Sequence, residues 1–214
     1  MNSPDIKFCG LTRPQDVESA IALGANYLGF IIECQSPRRL SVTDAARLAK
    51  PASGLAARVA VTVDADDALI ASIIEKISPD AVQLHGDESP DRLRDLKTQY
   101  SVKLIKALNI SNPKDLEHAH FFADVADFLL LDAKPPKGDK QRGGHGNSFD
   151  WNLLKNFKTK APLIIAGGLS SKTIGLAQKM TKAHIFDVSS GIETAPGIKD
   201  ATLMTEFMKA ARQE

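Results

Sequence analysis

Eight short apolar runs recur along the chain and limit the possible folds more than any other feature. Each is four to seven residues long and rich in leucine or β-branched residues, as buried parallel strands are. Their starts lie about 25 residues apart on average, the length of one strand, one helix and two loops. They occupy residues 6–9, 27–32, 57–63, 81–84, 102–107, 128–131, 163–166 and 184–188. Eight such units close a sheet, so the sequence predicts an α/β fold, a (β/α)8 barrel of eight parallel strands.

Helix signals fall between these runs, as a barrel requires. Pro14 suits a first helical turn that ends at Gly24, and further helices are expected to begin near Asp64 to Asp67, Ser89, Pro113, Trp151 and Ser170. The last helix is predicted over residues 200–212, because Leu203 and Phe207 have core-facing spacing. With 214 residues and no internal break, the chain is predicted to form one domain over residues 1–214.

Charge is nearly balanced, with 27 Lys and Arg residues against 26 Asp and Glu residues. No broad electrostatic field therefore points to nucleic acid or to an anionic membrane. Asp5 and Lys7 interrupt the apolar core that a signal peptide needs, so a cytoplasmic protein is expected. The sequence favours a monomer, with a homodimer as the alternative, since no helix has an evident surplus of exposed apolar residues.

The stretch over residues 126–151 has the form of a catalytic strand followed by a mobile loop. Asp132 stands where an apolar run stops, and the following loop contains Pro135, Pro136 and the glycine-rich GGHG of residues 143–146. Functional groups of such barrels cluster at the carboxyl ends of the strands. Asp132 is therefore a candidate catalytic acid, and capping of a turn or pairing with Lys134 is the structural alternative.

Small residues follow the last two predicted strands and suggest a phosphate site. Gly167 and Gly168 come after strand 7, and Ser189, Ser190 and Gly191 after strand 8. Exposed backbone amides at these two positions form the usual phosphate cradle of such barrels, here assisted by a short extra helix expected near residues 196–198. Tight turns without a ligand are the alternative interpretation.

Arg38 lies in the loop after strand 2, where a guanidinium could hold a second anion through two hydrogen bonds. A solvated surface arginine is an equal alternative on the sequence alone. Of the neighbouring pair, Arg39 is expected to be the more solvated.

Cys9, at the end of strand 1, is a candidate general base. Lys7 lies two positions earlier and hence on the same side of the strand, so its ammonium group is expected to favour the thiolate. An ordinary thiol has a pKa of about 8.5, and a modest depression would make it a base near neutral pH. Simple packing is the alternative for Cys9. Cys9 and Cys34 are expected as free thiols, although neighbouring strand ends would also allow a disulfide.

His85 follows strand 4 and is a third polar group at the same end of the barrel. A metal ligand would need partners, and no second histidine falls at another predicted strand end. No metal site is therefore predicted, and a structural histidine is the favoured interpretation from the residues alone.

Seven segments together resemble the phosphoribosylanthranilate isomerase family of tryptophan biosynthesis. They span nearly the whole chain, and the first and last are the most specific. The segments are KFCGLTR (7–13), SPR (36–38), VQLHG (82–86), LLDAK (130–134), GGHGNSFDW (143–151), IAGGL (165–169) and DVSSGIETAPGIKD (187–200).

The resemblance implies an aldose–ketose isomerisation, the Amadori rearrangement of N-(5-phosphoribosyl)anthranilate, without metal or organic cofactor. It implies that Asp132 protonates the ribose ring oxygen and that Cys9 removes the proton from C2. Arg38 would hold the anthranilate carboxylate. The other implied substrate-binding residues are Lys7, His85, Gly144, Gly146, Gly167, Gly168, Asp187, Ser189, Ser190 and Gly191.

The chain departs from the family pattern at Glu33, Cys34 and Gln35, where aromatic residues or proline are common. A histidine-pathway isomerase is a less suitable comparison, because strand 1 there is expected to end in aspartate and the two half-barrels to repeat. A metal-dependent pentose-phosphate epimerase would need several His and Asp ligands at strand ends. A non-catalytic sugar-phosphate-binding barrel is the alternative from another class, since it needs the glycine cradle but no thiol opposed to an acid.

Overall fold

Eight parallel strands close into a barrel within the residues that the structure, a computed structural model, describes: 3–133 and 148–213. Each strand pairs with its neighbours in sequence, and β1 pairs with both β2 and β8, which closes the ring. The barrel strands are β1 (Asp5–Cys9), β2 (Tyr27–Ile32), β3 (Ala57–Thr62), β4 (Ala81–Leu84), β5 (Lys103–Ile110), β6 (Phe128–Ala133), β7 (Leu163–Ile165) and β8 (Ile185–Val188). A further strand of two residues, Arg39–Leu40, pairs with the end of β2. The predicted (β/α)8 barrel is confirmed.

Seven α-helices of the described residues cover the outside of the barrel, and polar caps begin most of them. Ser41, Asp66, Ser89, Asn112 and Asp200 each accept a hydrogen bond from the first turn of the helix that follows. The helices are α1 (Pro14–Ala22), α2 (Val42–Ala49), α3 (Asp67–Ile77), α4 (Pro90–Gln99), α5 (Pro113–Ala119), α6 (Ile174–Thr181) and α7 (Ala201–Arg212). None of the helices so described is long and apolar enough to cross a membrane.

Three elements begin or end at residues other than those predicted. The helix expected at Ser170 begins at Ile174, since the Thr173 hydroxyl closes a turn onto the Ser170 amide. A helix was expected to begin at Trp151, but Asp150 caps only a single 3-10 turn (Trp151–Leu154) within the described residues. β6 continues to Ala133, so Asp132 lies inside the strand.

The short helix predicted near residues 196–198 is absent from the described structure. Two short antiparallel strands, Glu193–Ala195 and Ile198–Lys199, form a hairpin there instead. The Pro196–Gly197 pair makes the turn, and Gly197 takes a φ of +81° that favours glycine. A 3-10 turn, Ser190–Ile192, precedes the hairpin.

The alternation of each strand divides its side chains between two apolar layers. Outward-facing residues such as Phe8, Phe30 and Phe186 pack under the helices in the larger layer. The smaller layer fills the barrel and contains Val59, Val61, Ala81, Ile105, Ala107, Leu130, Ile164, Ala166 and Ile185, with Cys9 at its edge. Because apolar side chains occupy the barrel interior, the inward-facing polar side chains lie at the carboxyl ends of the strands.

Lys106 of β5 is a charged side chain within the larger, otherwise apolar layer, and it is only 2% exposed. Its Nζ lies 2.7 Å from the Glu88 carboxylate and donates to the Gly86 carbonyl oxygen at 2.7 Å. Glu88 in turn accepts hydrogen bonds from the backbone amides of Asp64 and Gly86. Breaking a buried pair of this kind costs about 3–5 kcal/mol. The pair therefore fixes the loop after β4, which contains His85.

Candidate active site

The carboxyl ends of the strands surround a cavity of about 500 Å³. Nine of the side chains and glycines predicted as site residues line it together: Cys9, Arg38, His85, Asp132, Gly167, Gly168, Asp187, Ser189 and Ser190. A volume of this size suits a small organic ligand. The structure thus places the thiol of β1 and the carboxylate of β6 on the wall of one cavity, with both anion-binding candidates beside them.

Lys7 lies beneath the cavity wall and is fully buried. β1 and β8 are in a register that sets Lys7 opposite Asp187, and the two side chains form an ion pair of 3.0 Å. Gly29 of β2 lies opposite Cys9, and a Cβ atom there would stand 2.8 Å from the Cys9 sulfur and 3.2 Å from the Lys7 nitrogen. The absence of a side chain at residue 29 therefore leaves room for both groups.

The expected depression of the Cys9 pKa was wrong. Burial raises the pKa of the Cys9 thiol above its ordinary value, and the negative charge of Asp187 raises it further. Lys7 and Lys199 act in the opposite direction but do not outweigh these two effects. Burial is the main reason, and the Asp187 carboxylate adds to it by opposing the Lys7 charge that was expected to favour the thiolate.

This environment predicts a high-pH titration of the Cys9 thiol. The rate of alkylation by iodoacetamide should rise with pH and reach its midpoint above the ordinary thiol value of about 8.5. The measurement uses a Cys34→Ser variant, so that only Cys9 reacts. A midpoint at or below neutral pH would show that Lys7 dominates the local field after all.

Asp132 is 6% exposed and faces the interior from β6. One of its oxygens accepts a hydrogen bond of 2.8 Å from the Ala133 amide, and the other lies 3.9 Å from Nε2 of His85. Nδ1 of His85 lies 3.1 Å from the side-chain nitrogen of Gln83, which is buried on β4. His85 and Asp132 are therefore neighbours in the cavity wall, and Gln83 supports the imidazole from below.

The loops after β7 and β8 meet at one side of the cavity. Gly167 and Gly168 have φ angles of +83° and +63°, a backbone conformation that favours glycine. Gly191 does not line the cavity, but a Cβ atom there would stand 1.9 Å from the Leu169 carbonyl oxygen. Its glycine is required by the close approach of the two loops, which brings Ser189 and Ser190 next to Gly167.

Arg38 is 4% exposed, whereas Arg39 is exposed as expected. The Arg38 guanidinium does not face bulk solvent but makes two hydrogen bonds to Glu193, from Nε at 2.9 Å and from Nη2 at 2.6 Å. Burial acts to lower the pKa of Arg38, but the Glu193 carboxylate outweighs burial and raises it. The surface-arginine interpretation is therefore excluded for Arg38.

Four residues that the sequence analysis did not select contribute to the site: Gln83, Gly29, Glu193 and Lys199. Gln83 could have been found by its inward-facing position two residues before His85. Glu193 and Lys199 lie in the segment of residues 187–200 that carries the resemblance, but no local pattern indicated their partners. Gly144 and Gly146, predicted to bind substrate, lie outside the described residues.

Both cysteines are free thiols, so the disulfide alternative is not realised. Among residues 3–133 and 148–213, no three His, Cys, Asp or Glu side chains gather in a way that could hold a metal ion.

Comparison with known sequences places the chain among named isomerases. The family model for N-(5'phosphoribosyl)anthranilate (PRA) isomerase matches residues 6–210. The N-(5'-phosphoribosyl)anthranilate isomerase of Rhizobium meliloti is 44% identical over 209 residues, which cover 98% of this chain and 97% of the relative. The enzyme of the same name from Parvibaculum lavamentivorans is 42% identical over 213 residues, 99% of each chain.

Solved structures give the same result. Phosphoribosyl anthranilate isomerase from Thermotoga maritima superposes with a TM-score of 0.88 at 30% identity, covering 99% of this chain and 100% of that one. Monomers generated from the dimeric Thermotoga maritima enzyme give a TM-score of 0.86 at 29% identity, with 99% and 100% covered. A phosphoribosyl anthranilate isomerase in complex with reduced 1-(o-carboxyphenylamino)-1-deoxyribulose 5-phosphate gives 0.85 at 29% identity, with the same coverage. With its family model, its sequence relatives and its barrel in agreement, this chain belongs to the N-(5'-phosphoribosyl)anthranilate isomerase family.

Proposed function

We propose that this chain converts N-(5'-phosphoribosyl)anthranilate to 1-(2-carboxyphenylamino)-1-deoxyribulose 5-phosphate in tryptophan biosynthesis, with Asp132 as general acid and Cys9 as general base. The observation that carries the proposal is the shared cavity, whose wall contains both residues. A sugar derivative with an anionic group at each end also needs two separate anion-binding sites. Arg38 and the glycine loops are suited to these two roles, and both line the same cavity.

Asp132 begins the reaction by protonating the ring oxygen of the ribose. The bond between C1 and the ring oxygen breaks, the oxygen becomes the C4 hydroxyl, and the anthranilate nitrogen forms a Schiff base with C1. Asp132 must carry a proton at this step. The acid is 6% exposed on the cavity wall, and one of its oxygens lies 3.9 Å from Nε2 of His85.

Cys9 completes the rearrangement as the thiolate. It takes the proton from C2, and the electron pair moves to form the C1–C2 enolamine, which becomes the ketose with its carbonyl at C2. The Schiff base acidifies the C2 proton, so a base of raised pKa is chemically suited to remove it once ionised. The enolamine then takes a proton at C1 while the C2 hydroxyl gives one up, and the proton first delivered to the ring oxygen stays on the C4 hydroxyl, so no atom is gained or lost overall.

The substrate phosphate fits the side of the cavity formed after β7 and β8. Left-handed backbone at Gly167 and Gly168 presents amide groups without obstructing side chains, and Ser189 and Ser190 face the same space. Asp187, two residues before Ser189, lines the cavity beside Cys9 and is proposed to contact substrate hydroxyls.

Replacement of Arg38 by alanine should raise KM about 10- to 100-fold, because a hydrogen-bonded charge pair contributes about 1.5–3 kcal/mol. The change in kcat should be smaller, since the anthranilate carboxylate is remote from C1 and C2. Steady-state kinetics with the fluorescent substrate measures both. Arg94→Ala on α4 is the matched control, because that side chain is exposed and does not line the cavity. An unchanged KM in the Arg38 variant would place the carboxylate grip elsewhere.

The activity itself is tested by following the fluorescence of phosphoribosylanthranilate with the purified protein. The proposal requires the signal to decrease enzymatically and the ketose phosphate to accumulate. A protein that binds the reduced product analogue but leaves the substrate unchanged would instead be a sugar-phosphate-binding barrel.

A further inference from the structure

Glu193 is the centre of a buried ionic cluster behind the cavity wall. Its side chain is 4% exposed and receives the two hydrogen bonds from Arg38. Lys199 contributes a third contact, with Nζ 2.7 Å from Oε1, and the Gly197 amide donates to the same oxygen at 3.2 Å. Burial acts to raise the pKa of Glu193, but the Arg38 hydrogen bonds and the Lys199 charge hold it below its ordinary value. The carboxylate therefore stays ionised.

Lys199 connects this cluster to the wall that is proposed to hold the phosphate. Its Nζ donates to both the carbonyl oxygen and the hydroxyl of Ser189, each at 3.2 Å. The Lys199 backbone is fixed from the other side by α1, since its carbonyl oxygen accepts from Arg13 and its amide donates to Asp16. Arg38 belongs to the loop after β2 and Lys199 to the hairpin after β8, so Glu193 connects two separate parts of the cavity rim.

The contacts to Glu193 determine which part of Arg38 remains for a ligand. A guanidinium has five N–H donors, and Glu193 takes one on Nε and one on Nη2. The edge formed by Nη1 and the second Nη2 hydrogen is left, and Arg38 lines the cavity. The cluster contains two cations, Arg38 and Lys199, and one carboxylate. Burial lowers the pKa of Lys199, and the Glu193 charge acts against this lowering. With two basic side chains against one acidic one, the cluster is suited to one further carboxylate.

We propose that Glu193 is a positioning residue that turns Arg38 so that its remaining edge meets the aromatic carboxylate of the substrate. Through Lys199 and Ser189, the same carboxylate ties this grip to the phosphate side of the cavity, which sets the span between the two anions. This inference rests on the proposed function, because it assumes a substrate with a carboxylate at one end and a phosphate at the other.

Replacement of Glu193 by glutamine tests the inference, since it keeps the volume but removes the charge. We expect KM to rise about tenfold while kcat stays within about threefold, because Arg38 loses its orientation but the reacting carbons keep their partners. Binding should weaken similarly for the reduced product analogue, but not for the analogue that lacks the ring carboxylate. Glu206→Gln on α7 is the matched control, because Glu206 is exposed.

A double variant separates positioning from a general structural effect. If Glu193 acts through Arg38, Glu193→Gln should not raise KM further in an Arg38→Ala background. An equal increase in both backgrounds, or equal weakening of both analogues, would overturn the inference. If the glutamine variant does not fold, Glu193→Asp replaces it: the shorter carboxylate keeps the charge, and an unchanged KM there would also overturn the inference. Failure of the wild-type protein to turn over phosphoribosylanthranilate would instead refute the proposed function.

Discussion

Replacing Cys9 with alanine should lower kcat about 10²- to 10⁴-fold, the usual contribution of a positioned general base. The reason is local: among the described neighbours of Cys9, Gly29 on β2 has no side chain and the Asp187 carboxylate is paired with Lys7. Binding of the reduced product analogue should stay within a few-fold of the wild type, since alanine preserves the backbone of β1. The measurements are single-turnover kinetics and titration of the analogue.

Cys34→Ala is the comparison variant for this experiment, since Cys34 is a second free thiol on the same cavity wall. It is expected to alter KM rather than kcat, because Cys34 lies in the loop after β2 that also contains Arg38. If Cys9→Ala kept the kcat of the wild type, another group would have to remove the C2 proton.

Replacing Asp132 with asparagine should lower kcat by a similar factor, about 10²- to 10⁴-fold, because an amide cannot deliver a proton to the ring oxygen. The side chain has nearly the same shape, and its oxygen can still accept the hydrogen bond from the Ala133 amide. The loss should therefore appear in kcat with little change in binding of the reduced product analogue. Asp95→Asn on α4 serves as the control, because Asp95 is exposed.

The Asp132 and Cys9 variants together test the order of the two steps. A substrate that is already open, supplied as the Schiff base, would no longer need the acid, so it should rescue Asp132→Asn but not Cys9→Ala. Rescue of both variants would contradict the division of roles, and full activity of Asp132→Asn on the closed sugar would identify a different acid.

Local patterns in the sequence were sufficient for the architecture. The apolar runs, the helix caps and the proline positions depend on neighbours within a few residues, and they predicted eight strands and most helix starts. Cys9 and Asp132 could be selected because parallel strands bring their carboxyl ends to one face of a barrel, whatever the details of packing. The helix expected near residues 196–198 was wrong, because a turn at Pro196 and Gly197 pairs two short strands there instead.

The charge partners were decided only by the tertiary structure. The register between β1 and β8 pairs Lys7 with Asp187, although 180 positions separate the two residues. Burial of Cys9, and after it the Asp187 charge, raise the Cys9 pKa that Lys7 alone was expected to lower. Likewise, Arg38 meets Glu193 across 155 positions. A sequence fixes which residues can be charged and which face of a strand they occupy. The partner of a buried charge depends on closure of the barrel, because only closure brings the first strand next to the last and excludes water from the space between them.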